Sequence, residues 1–124
     1  MAKSDVVIIG GSAAGIVAGI TVRRHYKDAK ITLIRQEKEG QVMVPCGIPY
    51  IFGTVGATAK NVMPDTLLSG NNIDLVIDEA TSIDREGKAV TTARGNSLEY
   101  ERLIIATGST PVILPLPGVN LENV

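Results

Sequence analysis

The run Val6-Val7-Ile8-Ile9 followed by Gly10-Gly11-Ser12-Ala13-Ala14-Gly15 constrains the fold more than any other stretch of the chain. Four apolar residues end in a turn of small residues. The apolar-rich segment 16–22 then continues toward the basic end Arg23-Arg24-His25, which reads as buried strand, tight turn and helix. A helix N-terminus carries unsatisfied N–H groups and a partial positive charge, so it holds a pyrophosphate where small residues let the backbone approach. A dinucleotide is the natural ligand for such a turn. A strand-like segment at 30–34 completes a unit of about 30 residues, the length of a right-handed βαβ crossover. A glycine turn alone also serves simply to join strand to helix, and it is this βαβ context that favours the nucleotide. In the pattern G-x-G-x-x-G, Gly10 and Gly15 fill the outer positions and Ser12 takes the middle one. Serine is small, and its hydroxyl can donate to a phosphate oxygen.

At 124 residues, with 44% hydrophobic residues, the chain suits one domain with an ample core. A net charge of −1 argues against a general nucleic-acid surface, and no basic run interleaves with aromatics. The glycine turn falls where a signal peptide would carry its apolar segment, and no stretch approaches the roughly 18 apolar residues of a membrane span. The expectation is a soluble cytoplasmic protein without a membrane or nucleic-acid partner. The single cysteine, Cys46, makes no internal disulfide and raises the question of a reactive thiol.

Taken in order, the chain predicts a strand over 5–9, a helix over 13–26, a strand over 30–34 and a charged, exposed segment over 35–40. The apolar stretch 42–53, broken by Pro45 and Pro49, suits a loop entering a short helix near Pro49. A mobile loop is expected over 54–61 and a short helix within 61–69, opened by Pro64-Asp65. After Gly70-Asn71-Asn72 the pieces 73–77, 81–83, 88–92 and 97–100 are short and β-like, separated by turn-forming clusters. They predict a small antiparallel meander inserted into the parallel sheet. Leu103-Ile104-Ile105-Ala106 reads as another central parallel strand, ending in Thr107-Gly108-Ser109-Thr110-Pro111 at a carboxyl edge, where open α/β sheets place ligands. The predicted fold class is α/β, a Rossmann-like parallel sheet with an inserted antiparallel β-meander. Residues 1–110 would form the nucleotide-binding domain, and the Pro-rich stretch 111–124 a linker.

Three stretches in this order, residues 10–15, Cys46-Gly47-Ile48-Pro49-Tyr50 and 103–111, resemble the N-terminal flavin-binding segment of the pyridine nucleotide–disulfide oxidoreductases. Within that family the chain resembles the single-cysteine branch, which includes coenzyme A disulfide reductase, NADH oxidase, NADH peroxidase and persulfide reductase. The resemblance implies that Gly10, Gly11, Ser12, Ala13, Ala14 and Gly15 hold the FAD pyrophosphate and that the backbone at Glu79 and Ala80 meets the adenine. It further implies that Ala106, Thr107, Gly108 and Ser109 lie alongside the flavin and that Cys46 faces its ring. The family usually places an acid at the end of the second strand, bonded to the adenosine ribose. Here Arg35 stands in that place, followed by Gln36 and Glu37. Glu37 or the backbone would then serve the ribose, while an arginine can also accommodate a 2′-phosphate. The family continues into a nicotinamide-binding domain, the rest of the flavin domain and a dimerisation domain. The resemblance therefore implies a fragment, inactive alone, of an NAD(P)H-dependent homodimer.

On this reading Cys46 is a redox nucleophile. Its thiolate attacks a small disulfide, polysulfide or persulfide, or cycles through a sulfenic acid in an oxidase or peroxidase. A place just before a helix N-terminus would favour the thiolate. The plain alternative is a small buried residue, as most free cysteines are. No second cysteine follows five residues on, so a small-molecule thiol, disulfide or polysulfide, or an oxygen species, is the implied partner. Arg23 and Arg24 resemble an arginine pair that meets coenzyme A, and they equally suit a basic helix end complementing its dipole. The coenzyme A branch often carries a serine four residues before the cysteine, where this chain has Val42. Tyr50 either bonds near the thiol or packs on the core, His25 is expected at the surface, and Met43 and Met63 fill core space. From a different class, the chain could be a regulatory NAD(P)-binding Rossmann module in which Cys46 is structural. A reactive thiol separates the two, because a sensor needs none.

Overall fold

The computed structural model describes residues 2–122. Its elements are β1 (Ala2–Ile9), α1 (Ala13–His25), β2 (Ile31–Arg35), α2 (Thr66–Ser69), β3 (Ile73–Ile77), β4 (Ala80–Asp84), β5 (Ala89–Thr92) and β6 (Ser97–Ile105). Two short 3-10 helices, Pro45–Tyr50 and Thr58–Lys60, lie between β2 and α2. All six strands share one sheet in the order β3-β2-β1-β6-β5-β4. The β3-β2-β1-β6 part is parallel and the β6-β5-β4 part antiparallel. This is the α/β, Rossmann-like fold the sequence predicts.

Two strand assignments are corrected. Segment 73–77 is not part of the meander: it runs parallel to β2, with Ile31 opposite Ile73 and Arg35 opposite Ile77. Its mixed polarity reflects its place at the sheet edge, where Asp74 is exposed while Ile73 packs into the core. Segments 97–100 and 103–106 are not two strands either. One strand, β6, pairs with β1 from Ala2–Leu98 to Ile9–Ile105. The charges at Glu101 and Arg102 that break its apolar run are exposed, and Glu101 pairs with Lys3 at 2.8 Å.

The sheet buries both faces. Val6, Ile8, Ile31, Leu33 and Ile73 pack with Ile16 of α1 and Leu68 of α2 on one side. Val7, Ile9, Ile34, Val90, Leu98 and Tyr100 form the core on the other. A continuous apolar run such as Val6-Val7-Ile8-Ile9 is what a central strand covered on both faces requires. Among the described residues no helix is long and apolar enough to cross a membrane. Residues 111–122 form neither helix nor strand and leave Val112 and Ile113 exposed.

Candidate functional site: a glycine turn, a buried arginine and a strapped cysteine loop

The turn after β1 is pinned from both sides. Gly10 N–H donates to the Ile34 carbonyl at 2.8 Å, and Ala106 N–H donates to the Ile9 carbonyl at 2.8 Å. Gly10 adopts φ +108°, and a Cβ there would stand 2.1 Å from the Ala106 oxygen. A Cβ on Gly15 would stand 1.9 Å from the Gly10 oxygen. The chain leaves β1 for β2 on one side while β6 lies on the other, so the turn sits at the point where strand order reverses, and such crevices bind ligands.

Helix α1 starts at Ala13 with Ser12 as its N-cap, and the Ser12 side chain makes no capping hydrogen bond. Its first turn holds no acid, while Arg23, Arg24 and His25 stand in its last. The N-terminal end is therefore positive and uncapped, which suits an anionic ligand. Ser12→Val, which removes the hydroxyl and adds bulk at the N-cap of α1, is expected to weaken FAD binding about tenfold, measured by flavin fluorescence titration. Unchanged affinity would count against a role for the hydroxyl.

Arg35 ends β2 and is buried, its side chain 0% exposed. It runs along the glycine turn, with Cδ 2.4 Å from where a Gly11 Cβ would stand. Nε donates to the Glu37 carbonyl at 2.7 Å, and Nη2 donates to both oxygens of Asp65 at 2.7 Å. Nη1 is buried without a partner among the described residues. Gln36 and Glu37 are exposed beside it. The Asp65 partner is 30 residues away, and no pattern in the sequence announces it.

Cys46 is exposed. It lies inside the 3-10 helix Pro45–Tyr50, which opens at Pro45, rather than before a helix starting near Pro49. Its loop is strapped to the segment ahead of α2. Met43 and Val62 form an antiparallel bridge, Met63 N–H donates to the Val42 carbonyl at 2.8 Å, and Val44 N–H donates to the Asn61 carbonyl at 2.9 Å. Asn61, 4% exposed, also donates from Nδ2 to the Val44 carbonyl at 3.0 Å. A Cβ on Gly47 would meet the Asn61 Oδ1 at 1.8 Å, so Gly47 is the residue that lets this amide fit. Sequence reasoning gave Asn61 no role, placing it where the expected loop over 54–61 meets the segment 61–69 expected to hold a short helix. Segment 61–65 thus holds the Cys46 loop through Asn61 and the Arg35 side chain through Asp65. Asn61→Ala is expected to lower unfolding free energy by about 1–2 kcal/mol in urea denaturation.

The other predicted residues are distributed as follows. Glu79 is exposed and Ala80 half-buried at the corner between β3 and β4, on the same carboxyl edge as Arg35, whose carbonyl accepts the Asp78 N–H at 2.8 Å. Asp78 is buried there. The neighbouring Thr92 hydroxyl holds its carboxyl below the ordinary range although the two side chains do not align as a full hydrogen bond, and the Glu79 N–H donates to it at 2.9 Å. Ala106 is half-buried, and Thr107, Gly108 and Ser109 are exposed beyond the end of β6.

Arg23 is engaged by backbone at the far end of α1, donating to the carbonyls of Asn71 (2.9 Å), Asn72 (2.8 Å), Tyr26 and Lys27. Arg24 and His25 are exposed. Tyr50 is 59% exposed, so it does not pack on the core. Met63 packs against the core, as expected, and Met43 is half-buried. An open groove of about 1020 Å³ between Val22, Tyr26, Arg102 and Ile104 contains none of the predicted site residues. Among the described residues no cluster of metal-ligating side chains occurs.

A mixed sheet whose parallel part carries a glycine turn at its switch point, followed by an uncapped helix, is an α/β segment of the kind that binds dinucleotides. Residues 4–124 match the family described as pyridine nucleotide-disulphide oxidoreductase, and the chain belongs to that family. Its members are oxidoreductases that use FAD and NAD(P)H. The chain is 35% identical over 127 residues to an NADH oxidase from Methanocaldococcus jannaschii, covering 95% of the chain and 28% of that protein. It is 32% identical to a CoA-dependent NAD(P)H sulfur oxidoreductase from Pyrococcus abyssi, covering 98% of the chain and 28% of the relative. Among solved structures, an NAD-dependent persulfide reductase from A. fulgidus superposes with a TM-score of 0.81 at 35% identity, covering 94% of the chain and 23% of that protein. The chain thus spans little more than a quarter of the length of the curated relatives it matches.

Proposed function

We propose that this chain supplies the N-terminal flavin-binding part of an NAD(P)H-dependent oxidoreductase that reduces a small disulfide, polysulfide or persulfide through Cys46. The exposed Cys46 thiol carries the reading: it sits on a loop tied by segment 61–65 to the arginine that lines the glycine turn. The turn fits FAD's phosphates, because Gly10 and Gly15 bring backbone against backbone and the first turn of α1 stays uncapped. Ser12 and the α1 N-terminus hold the pyrophosphate, and residues 106–109 flank the flavin.

FAD, when bound, supplies the electron pair that originates in NAD(P)H and restores the thiol. Cys46 Sγ, as thiolate, attacks one sulfur of the substrate, forming a Cys46 mixed disulfide and releasing the other sulfur as thiolate. Two electrons then cleave that disulfide, releasing the second thiolate and regenerating Cys46. Relatives named for CoA-dependent sulfur and persulfide chemistry support this substrate class, and relatives named NADH oxidase support a second reading in which Cys46 cycles through sulfenic acid.

The test is titration of the purified chain with FAD, followed by its visible spectrum after gel filtration. Co-elution of a perturbed flavin band with the protein is expected, and a folded chain that leaves FAD wholly unperturbed contradicts the assignment.

A further inference from the structure

We infer that Asn61 is the positioning residue for the Cys46 thiol, an inference that rests on the reading of Cys46 as a redox nucleophile. Burial does not place that thiol. Across residues 36–60 only Val42 is buried, and the 3-10 helix Pro45–Tyr50 that carries Cys46 has no buried residue at all. A long loop with so little apolar anchoring is held only where polar contacts hold it. The contacts on either side of Cys46 meet at Asn61.

Two residues ahead of Cys46, Val44 is held through both of its backbone groups. Its N–H donates to the Asn61 carbonyl at 2.9 Å, and its carbonyl accepts from Asn61 Nδ2 at 3.0 Å. The same Val44 carbonyl accepts the Gly47 N–H at 3.0 Å, closing the turn on which Cys46 stands. One residue past Cys46, Gly47 presents its Cα to the Asn61 amide, so closely that a Cβ could not be placed between them. Asn61 is itself fixed. It is buried, its N–H donates to the Thr58 carbonyl at 2.9 Å, and four residues on Asp65 accepts from the buried Arg35 at the end of β2. The place requires an amide: an ionised carboxylate of the same shape lacks the N–H that the Val44 carbonyl accepts, and an aliphatic side chain offers no donor. Such fixing matters to the chemistry, because misplacing a reacting group by about 1 Å costs about 100-fold in rate.

The experiment is alkylation of Cys46 by iodoacetamide in the full chain across pH, with and without saturating FAD, in the parent and in Asn61→Ala and Gly47→Ala. The first variant removes the donor, and the second adds a methyl that displaces the same amide from the other side. Both, where folded by circular dichroism, are expected to bind FAD as the parent does and to lose the several-fold change in alkylation rate that FAD causes in the parent. A residue that only adds stability would leave that change intact in a folded variant, so its persistence in folded Asn61→Ala overturns the inference. Loss of FAD binding by a folded variant also overturns it, by making Asn61 a support of the flavin site. Should neither variant fold, NMR of the parent decides: Asn61 side-chain amide protons protected from exchange and shifted on alkylation of Cys46 are expected, and exchange as fast as that of an exposed asparagine overturns the inference. A parent whose alkylation FAD leaves unchanged overturns the reading of Cys46, and the inference with it.

Discussion

Replacing Cys46 by serine is expected to abolish reduction of polysulfide or disulfide by the oxidoreductase that contains this segment, by about three orders of magnitude or more in kcat. Serine keeps the size of the side chain and the 3-10 turn that Pro45 opens, but its hydroxyl neither attacks sulfur nor forms a mixed disulfide. Reduction of the bound flavin by NAD(P)H should persist, because that half of the cycle does not use the thiol. The measurement is steady-state turnover with polysulfide alongside single-turnover flavin bleaching. Retained turnover with sulfur substrates would remove Cys46 from the chemistry. Loss of oxygen or peroxide reduction, with sulfur turnover absent in the parent enzyme, would favour the sulfenic acid reading.

Gly10→Ala is the second large effect, and it is one of folding. The residue adopts φ +108°, and its added methyl would stand 2.1 Å from the Ala106 carbonyl oxygen, a backbone atom that β6 holds in register with β1. Neither the strained conformation nor the clash can be relieved by turning a side chain. Destabilisation of at least about 3 kcal/mol is expected in urea denaturation, with loss of FAD binding. Gly40, also at positive φ but with open space where its Cβ would lie, is the control. Gly40→Ala should cost about 1 kcal/mol, the conformational penalty alone.

The strand-turn-helix at residues 6–25 was legible because everything that makes it is local: the apolar run, the small-residue turn and the basic helix end are contiguous. The carboxyl-edge turn after β6 was legible for the same reason. Strand direction at 73–77 was not, since an edge strand of a parallel sheet and a strand of a meander show the same half-polar pattern. Direction is set by the crossover through α2, which is only four residues long. The unity of β6 was hidden because exposed charges at Glu101 and Arg102 look like a break when the pairing with β1 is unseen. In the site, the position of Arg35 was readable but its Asp65 partner was not, and Asn61 was invisible because its work lies in one amide bond to the Val44 carbonyl. Tyr50 is exposed because the whole 3-10 helix has no buried residue, which composition could not reveal.

Whether Cys46 faces a flavin held by the glycine turn is tested most directly by the rate of Cys46 alkylation in this chain, measured across pH with and without saturating FAD. Rapid alkylation that bound FAD alters by several-fold or more is expected, with the Cys46→Ser chain unlabelled. Slow alkylation that bound FAD leaves unchanged would contradict this placement and make Cys46 a structural residue of a flavoprotein without thiol chemistry.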